Sequence, residues 1–225
     1  MNRVMRLSMA EFRAEQLPAA DEDVHFSEAL VRTVIEEYTA PGGRVLDPFA
    51  GFGTTLDVSR QLGRVAVGVE LLPERVEIIR ERIGPDVRII EGDARRLGEF
   101  DLEPVELCLT SPPYMPRGDH PWNPLTGYET LDADYDVYLG ELGEVFAAVT
   151  RVLRPGGHIA VNVANMRNND AVTPLAWDLA RVIGELPGVE FRGETYLEWD
   201  EPPDWMQGDY CLVFRTRYDP GANGY

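Results

Sequence analysis

The chain has 225 residues, 44% of them hydrophobic and 27% charged, and a formal net charge of −18. That length suits one α/β domain with a full core, no apolar run is long enough to be a membrane span, and the acidic excess sets the molecule's field against a polyanion. All 21 basic residues are arginine, so a Gly-Lys-Ser/Thr phosphate loop is excluded by residue identity.

The N-terminal MNRVMRLSMAEFRAEQL is interrupted by Glu11 and Glu15 and lacks a continuous apolar core. It reads as mature protein, not a signal peptide, with a cytoplasmic location expected. Residues 1–24 show no clear period and end in an acidic run, which predicts a mobile or lid-like arm. Leu30, Val31, Val34, Ile35 and Tyr38 share one face of a helix over 27–38, with Ser27 as N-cap. RVLD then predicts a buried strand into a glycine turn, followed by a helix over TTLDVSRQLG. Residues 64–70 read as a strand, PERVEIIRERIG as a helix, 87–94 as a third strand and 105–111 as a fourth. A polar and aromatic loop spans 115–132. A long helix is expected over 135–157, closed by Pro155 and two glycines, then a strand over 158–166 and a helix over 174–186. Two final strands, GVEFRGETYLEWD and GDYCLVFRTRYD, follow without a helix between them. This alternation predicts a Rossmann-like, doubly wound, mostly parallel sheet of seven strands with an antiparallel edge hairpin. Residues 25–218 are expected to form a single domain and 219–225 a tail. Cys108 and Cys211 fall inside expected strands and read as buried free thiols, with no metal role.

VLDPFAGFGTT (45–55) is the most informative stretch. A strand ends at Asp47, the chain turns through Gly51 and Gly53, and a helix begins near Thr54, whose N-terminus suits an anionic group. The spacing is not G-x-G-x-x-G, so a dinucleotide loop fails as well. Glu70 ends the second strand, where a carboxylate suits two ribose hydroxyls. Asp93, followed by Ala94, ends the third and suits an adenine amino group. Singly, each acid reads equally well as a solvated loop carboxylate. As an ordered set beside a glycine turn without phosphate chemistry, they point to S-adenosylmethionine.

DPFAGFGTT together with TSPPY resembles the DNA amino-methyltransferases, which methylate cytosine N4 or adenine N6 with S-adenosylmethionine. The resemblance runs from HFSEALV to YCLVFRT and implies a class I methyltransferase fold. It implies that Phe49, Gly51, Gly53, Thr54 and Thr55 line the methionine end of the cofactor, that Glu70 holds the ribose, that Leu71 packs on adenine and that Asp93 reads its amino group. His25, Phe26 and Ser27 are implied on the carboxylate side. Phe52 stands where the family more often has a small residue, which would narrow the cofactor channel.

Two prolines after a strand cannot extend a ladder or start a helix. In the chemistry the resemblance implies, Ser111 and the Pro112 carbonyl accept the target amine's hydrogens, so that its lone pair points at the methyl group. Pro113 completes the rigid turn, and Tyr114 offers a face for an extruded base. The bland alternative is a proline-stiffened surface turn. A leading serine resembles the cytosine-N4 subset more than the adenine-N6 subset.

The acceptor stays open between three readings. DNA is favoured by the family pattern, with a homodimer or a partner protein as candidates for reading sequence. A nucleoside, RNA base or other small-molecule amine is favoured by the acidic charge and the lack of room for a recognition domain. A non-catalytic scaffold is disfavoured by the intact Ser111, Pro112 and Tyr114. The loop 115–132, with Arg117, His120, Trp122 and Tyr128, is the candidate acceptor reader, and otherwise an ordinary lid.

Overall fold

A computed structural model describes residues 3–17, 26–115, 123–126, 134–168 and 170–217 of the chain. In chain order the first elements are β1 (Val4–Leu7), α1 (Met9–Glu15), α2 (Glu28–Tyr38), β2 (Arg44–Asp47), α3 (Thr54–Gln61), β3 (Val65–Glu70), α4 (Pro73–Ile83), β4 (Arg88–Glu91) and β5 (Val105–Thr110). The second half holds α5 (Tyr135–Val152), β6 (Leu153–Asn168), β7 (Ala171–Thr173), α6 (Leu175–Gly184), β8 (Val189–Trp199) and β9 (Met206–Thr216). Short 3-10 turns cover Ala94–Glu99 and Pro124–Thr126.

The strands form one sheet in the order β1-β8-β9-β6-β5-β2-β3-β4, with β7 paired to the end of β6. Pairings β2–β3, β3–β4, β2–β5 and β5–β6 are parallel, and β9 runs antiparallel to both β6 and β8. Strand order reverses between β2 and β5, where ligands of open α/β sheets bind beyond the carboxyl ends of the strands. The two sheet faces bury separate clusters. Leu30, Val31, Val34 and Ile35 of α2 pack on Val45, Leu107 and Val213, while Tyr138, Leu142 and Phe146 of α5 pack on Leu46, Cys108 and Phe214. Both cysteines are free and buried.

Several expected boundaries are corrected. Residues 4–15 of the predicted arm are part of the fold: β1 pairs in parallel with β8 through Val4–Tyr196 to Leu7–Trp199. Phe12 then packs edge-on against Trp199 at 5.0 Å. The final hairpin is consequently not the sheet edge, and with β1 and β7 the sheet has nine strands among the described residues, where seven were expected. The long helix stops at Val152, because Leu153 turns to extended backbone at ψ 140 ahead of Pro155. RPGG therefore opens β6 and does not close α5. The third expected strand ends at Glu91, and Asp93 serves instead as N-cap of the turn that follows.

Candidate cofactor and acceptor site

A cavity of about 400 Å³ opens beyond the ends of β2, β3 and β5, within the volume range of small-molecule sites. Of the residues expected around a cofactor, Phe26, Asp47, Phe49, Gly51, Thr54, Thr55, Glu70, Leu71, Asp93 and Ala94 line it, and so do Ser111, Pro112, Pro113 and Tyr114. Gly53 and Ser27 do not. Gly53 has φ +83, and a Cβ there would come within 2.9 Å of Ile83 Cδ1, so its smallness serves the packing of the α3 N-terminus on α4. Ser27 holds the N-cap position of α2 without a side-chain cap bond. It lines a second, smaller cavity. His25 lies outside the described residues, as do Arg117, His120, Trp122 and Tyr128.

Asp47 is nearly inaccessible, at 2% exposure. Its Oδ1 accepts the Thr110 hydroxyl at 2.6 Å and the Phe49 amide at 3.1 Å, tying the tip of β5 to the turn after β2. Burial pushes its pKa up to about 6 against those donors. Glu70 accepts the Gly51 amide at 2.8 Å through Oε2 and the Leu72 amide at 3.0 Å through Oε1. Gly51 sits at φ +54, a conformation open to glycine that aims its N–H at the carboxylate. Burial raises the Glu70 pKa, with the backbone donors opposing it. With the Leu71 backbone also donating to it, the carboxylate keeps acceptor capacity for a further donor. Thr55, 1% exposed and in the first turn of α3, turns its hydroxyl towards Asp47 and helps to hold that carboxylate's pKa down against burial. Phe52 lies on the cavity wall, and the Arg75 guanidinium stacks over its ring at 4.8 Å. Asp93 is covered by Arg95, whose Nε and Nη2 donate to its carboxylate at 2.6–3.0 Å.

At the other end, Thr110 leads directly from β5 into Ser111–Tyr114. The turn is fixed by a residue that sequence reasoning overlooked: Tyr138 of α5, fully buried, donates its hydroxyl to the Pro113 carbonyl at 2.7 Å. Among the described residues no backbone N–H takes the Pro112 carbonyl. Burial pushes the Tyr114 phenol's pKa up, against hydrogen bonding from Ser111 and the backbone at Ala164.

Tyr114 also lines the second cavity, of about 30 Å³, together with Met9, Phe12, Asn162, Trp199, Trp205 and Asp209. Trp205 meets Tyr114 edge-on at 6.4 Å. Asp209 is buried and accepts Asn162 Nδ2 at 2.7 Å and Trp199 Nε1 at 2.9 Å, and burial raises its pKa to about 6. The two tryptophans flanking the EPPD turn were a sequence signal for this wall. Met9 and Phe12 gave none, because nothing local says that they return to the sheet.

Comparison with known proteins adds independent observations. Residues 17–81 match the profile of a family described as DNA methylase. The chain is 37% identical over 83 residues to type II methyltransferase M.SmaI of Serratia marcescens, covering 37% of this chain and 28% of that protein. It is 46% identical over 66 residues to M.Cfr9I of Citrobacter freundii, covering 29% and 22%. The matches thus span less than a third of the length of these relatives. Among solved structures, a TehB-like SAM-dependent methyltransferase from Corynebacterium glutamicum superposes with a TM-score of 0.56 at 16% identity, over 92% of this chain and 95% of that one. A putative rRNA-methylase from Clostridium thermocellum gives 0.57 at 12% identity, over 87% and 100%. At such identities the likeness is one of fold, that of class I methyltransferases.

Proposed function

We propose that this chain, whose residues 17–81 match a family described as DNA methylase and whose fold is that of class I methyltransferases, is an S-adenosylmethionine-dependent enzyme that methylates an exocyclic amino group of a nucleobase. One observation carries the reading. A single cavity is lined by Thr54 and Thr55 at the α3 N-terminus, by the Glu70 carboxylate and by Ser111–Tyr114. The chemistry of the donors fits the cofactor. Thr54, Thr55 and the α3 N-terminus line the cavity and suit its carboxylate. The remaining acceptor capacity of Glu70 suits a ribose hydroxyl, and Leu71, Asp93 and Ala94 border the adenine end. Nothing in this wall resembles a phosphate cradle.

S-adenosylmethionine supplies an electrophilic methyl group on sulfonium. The chain's task is to present the amine. The Ser111 hydroxyl and the Pro112 carbonyl accept its two hydrogens and favour a pyramidal nitrogen with the lone pair directed at the methyl. Tyr138 holds the turn through Pro113, and Tyr114 supplies a stacking face for the ring. The amine's proton leaves to water after transfer, so no strong base is needed. Residues 4–217 act as one catalytic unit in this reading.

DNA is the proposed acceptor, supported by the named relatives, and the leading serine of SPPY supports cytosine N4 over adenine N6. The test is transfer of labelled methyl from S-adenosylmethionine to unmethylated genomic DNA at low salt, followed by nucleoside mass analysis. N4-methylcytosine is expected, and N6-methyladenine would reassign the atom. An RNA base or small-molecule amine is the second reading, favoured by the net charge of −18. Cofactor binding without incorporation into DNA would move the assignment there.

A further inference from the structure

Beyond the residues that touch the cavity, a chain of polar contacts joins its adenine end to a separate part of its wall. Arg95 donates its backbone N–H to Asp93 Oδ1 at 2.8 Å, its Nε to both Asp93 oxygens at 3.0 and 2.9 Å, and its Nη2 to Oδ2 at 2.6 Å. Its remaining terminal nitrogen, Nη1, donates to Glu141 Oε1 of α5 at 2.5 Å. The other Glu141 oxygen accepts Asn123 Nδ2 at 2.7 Å. Asn123 is 2% exposed. Its Oδ1 accepts the Leu125 amide at 2.9 Å, and its carbonyl accepts the Thr126 hydroxyl at 2.8 Å. Asp93, Arg95, Pro124 and Leu125 line the cavity, whereas Glu141 and Asn123 do not.

We propose that Glu141 is a positioning residue that couples the adenine end of the cavity to the 123–126 wall, through Arg95 on one oxygen and Asn123 on the other. The inference rests on the reading that this cavity takes S-adenosylmethionine. Both Asp93 oxygens are engaged by Arg95, so an adenine amino group reaches that carboxylate only by displacing a guanidinium contact. A guanidinium loosened from Asp93 turns its donors to Glu141, its other anionic neighbour, and so firms the carboxylate that holds Asn123. Coupling of this kind is reciprocal: whatever cofactor binding does to the order of 123–126, that segment does to cofactor affinity. A glutamine at 141 keeps the shape but has one acceptor oxygen, so it can hold Arg95 or Asn123 and not both.

The test uses S-adenosylhomocysteine as probe, with amide hydrogen exchange by NMR and binding by calorimetry, on wild type, Glu141→Gln, Arg95→Met and the double variant. Without ligand, Leu125 is expected to exchange about fivefold to tenfold faster in each single variant, as loss of roughly one hydrogen bond predicts, while Val69 in the sheet keeps its wild-type rate. The probe should slow Leu125 exchange in wild type and leave it unchanged in Glu141→Gln. Its Kd should rise about fivefold in Glu141→Gln, and the double variant should bind no worse than Arg95→Met, since both act through one chain of contacts. Wild-type Leu125 exchange in Arg95→Met and Glu141→Gln overturns the coupling, as do strictly additive losses of affinity. If wild type fails to bind the probe, the cofactor reading falls, and the ligand-free exchange rates decide the coupling alone.

Discussion

The two ends of the cavity are assembled in different ways. The cofactor end comes from one stretch, Asp47 to Asp93, in which three parallel strands end side by side and each hands a turn or a carboxylate to the same opening. Its geometry is set by near neighbours: Glu70 takes the amides of Gly51 and Leu72, and Asp47 takes the amide of Phe49. The other end is Ser111–Tyr114 from the middle of the chain, and behind Tyr114 the second cavity gathers Met9 and Phe12 from the first helix with Trp199, Trp205 and Asp209 from the last hairpin. A site built from adjacent strand tips tolerates change elsewhere in the chain. One built from distant segments depends on every pairing that brings them together.

If that division is right, substitutions should separate cleanly by end. The largest effect is expected at Ser111: Ser111→Ala should lower single-turnover methyl transfer to unmethylated DNA by about 100-fold, the scale of losing one transition-state hydrogen-bonding group. Its S-adenosylhomocysteine affinity should stay within about twofold of wild type. A matching loss of cofactor affinity would erase the distinction between the ends. Glu70→Ala should do the reverse and weaken S-adenosylhomocysteine by about 10- to 100-fold, as expected for a charged acceptor, in a calorimetric titration that needs no acceptor. Next comes Tyr138→Phe, which removes one oxygen and frees the Pro113 carbonyl. Turnover should fall about tenfold with cofactor affinity unchanged, a split that simple destabilisation of α5 would not give.

The smallest effect is a titration on the acceptor side. Asp209 has its pKa raised by burial from 3.8 to about 6, so the folded state keeps a proton that the unfolded chain has already lost. Its contribution to stability is therefore full below about pH 4 and disappears as the pH rises through about 6. Trp199 donates its indole N–H to this carboxylate. Its fluorescence should change with a midpoint near pH 6, and the change should vanish in Trp199→Phe. A flat signal from pH 5 to 7 in wild type would count against a protonated Asp209.

Legibility in the sequence followed the same boundary. Asp47 and Glu70 could be placed at strand ends, and Asp93 two residues beyond one, because apolar runs, glycines and helix starts mark those ends locally, and SPPY marks itself by what proline forbids. β1 could not be read, since VMRL is a four-residue strand with a single buried position, Leu7, and it gains its place by pairing with Tyr196–Trp199. The packing role of Gly53 could not be read for a related reason: a positive φ was legible in the turn, but the neighbour that crowds a Cβ there, Ile83, lies a helix away. The end of α5 was misread because Pro155 and its glycines signal a stop equally well for a helix and for an irregular strand entry.

By itself, then, the sequence determined the order of strands and helices from α2 onward except for β7, the glycine turn with its carboxylates, and the proline turn that follows β5. Those features follow from backbone sterics and hydrophobic periodicity, which act over a few residues. Only the tertiary structure decided that α1 walls the Tyr114 side, that Tyr138 holds Pro113, and that Arg95, Glu141 and Asn123 form one connected chain. Those contacts join residues tens to nearly two hundred positions apart, and the ones buried in the core form because a polar group there must find a partner wherever packing brings one.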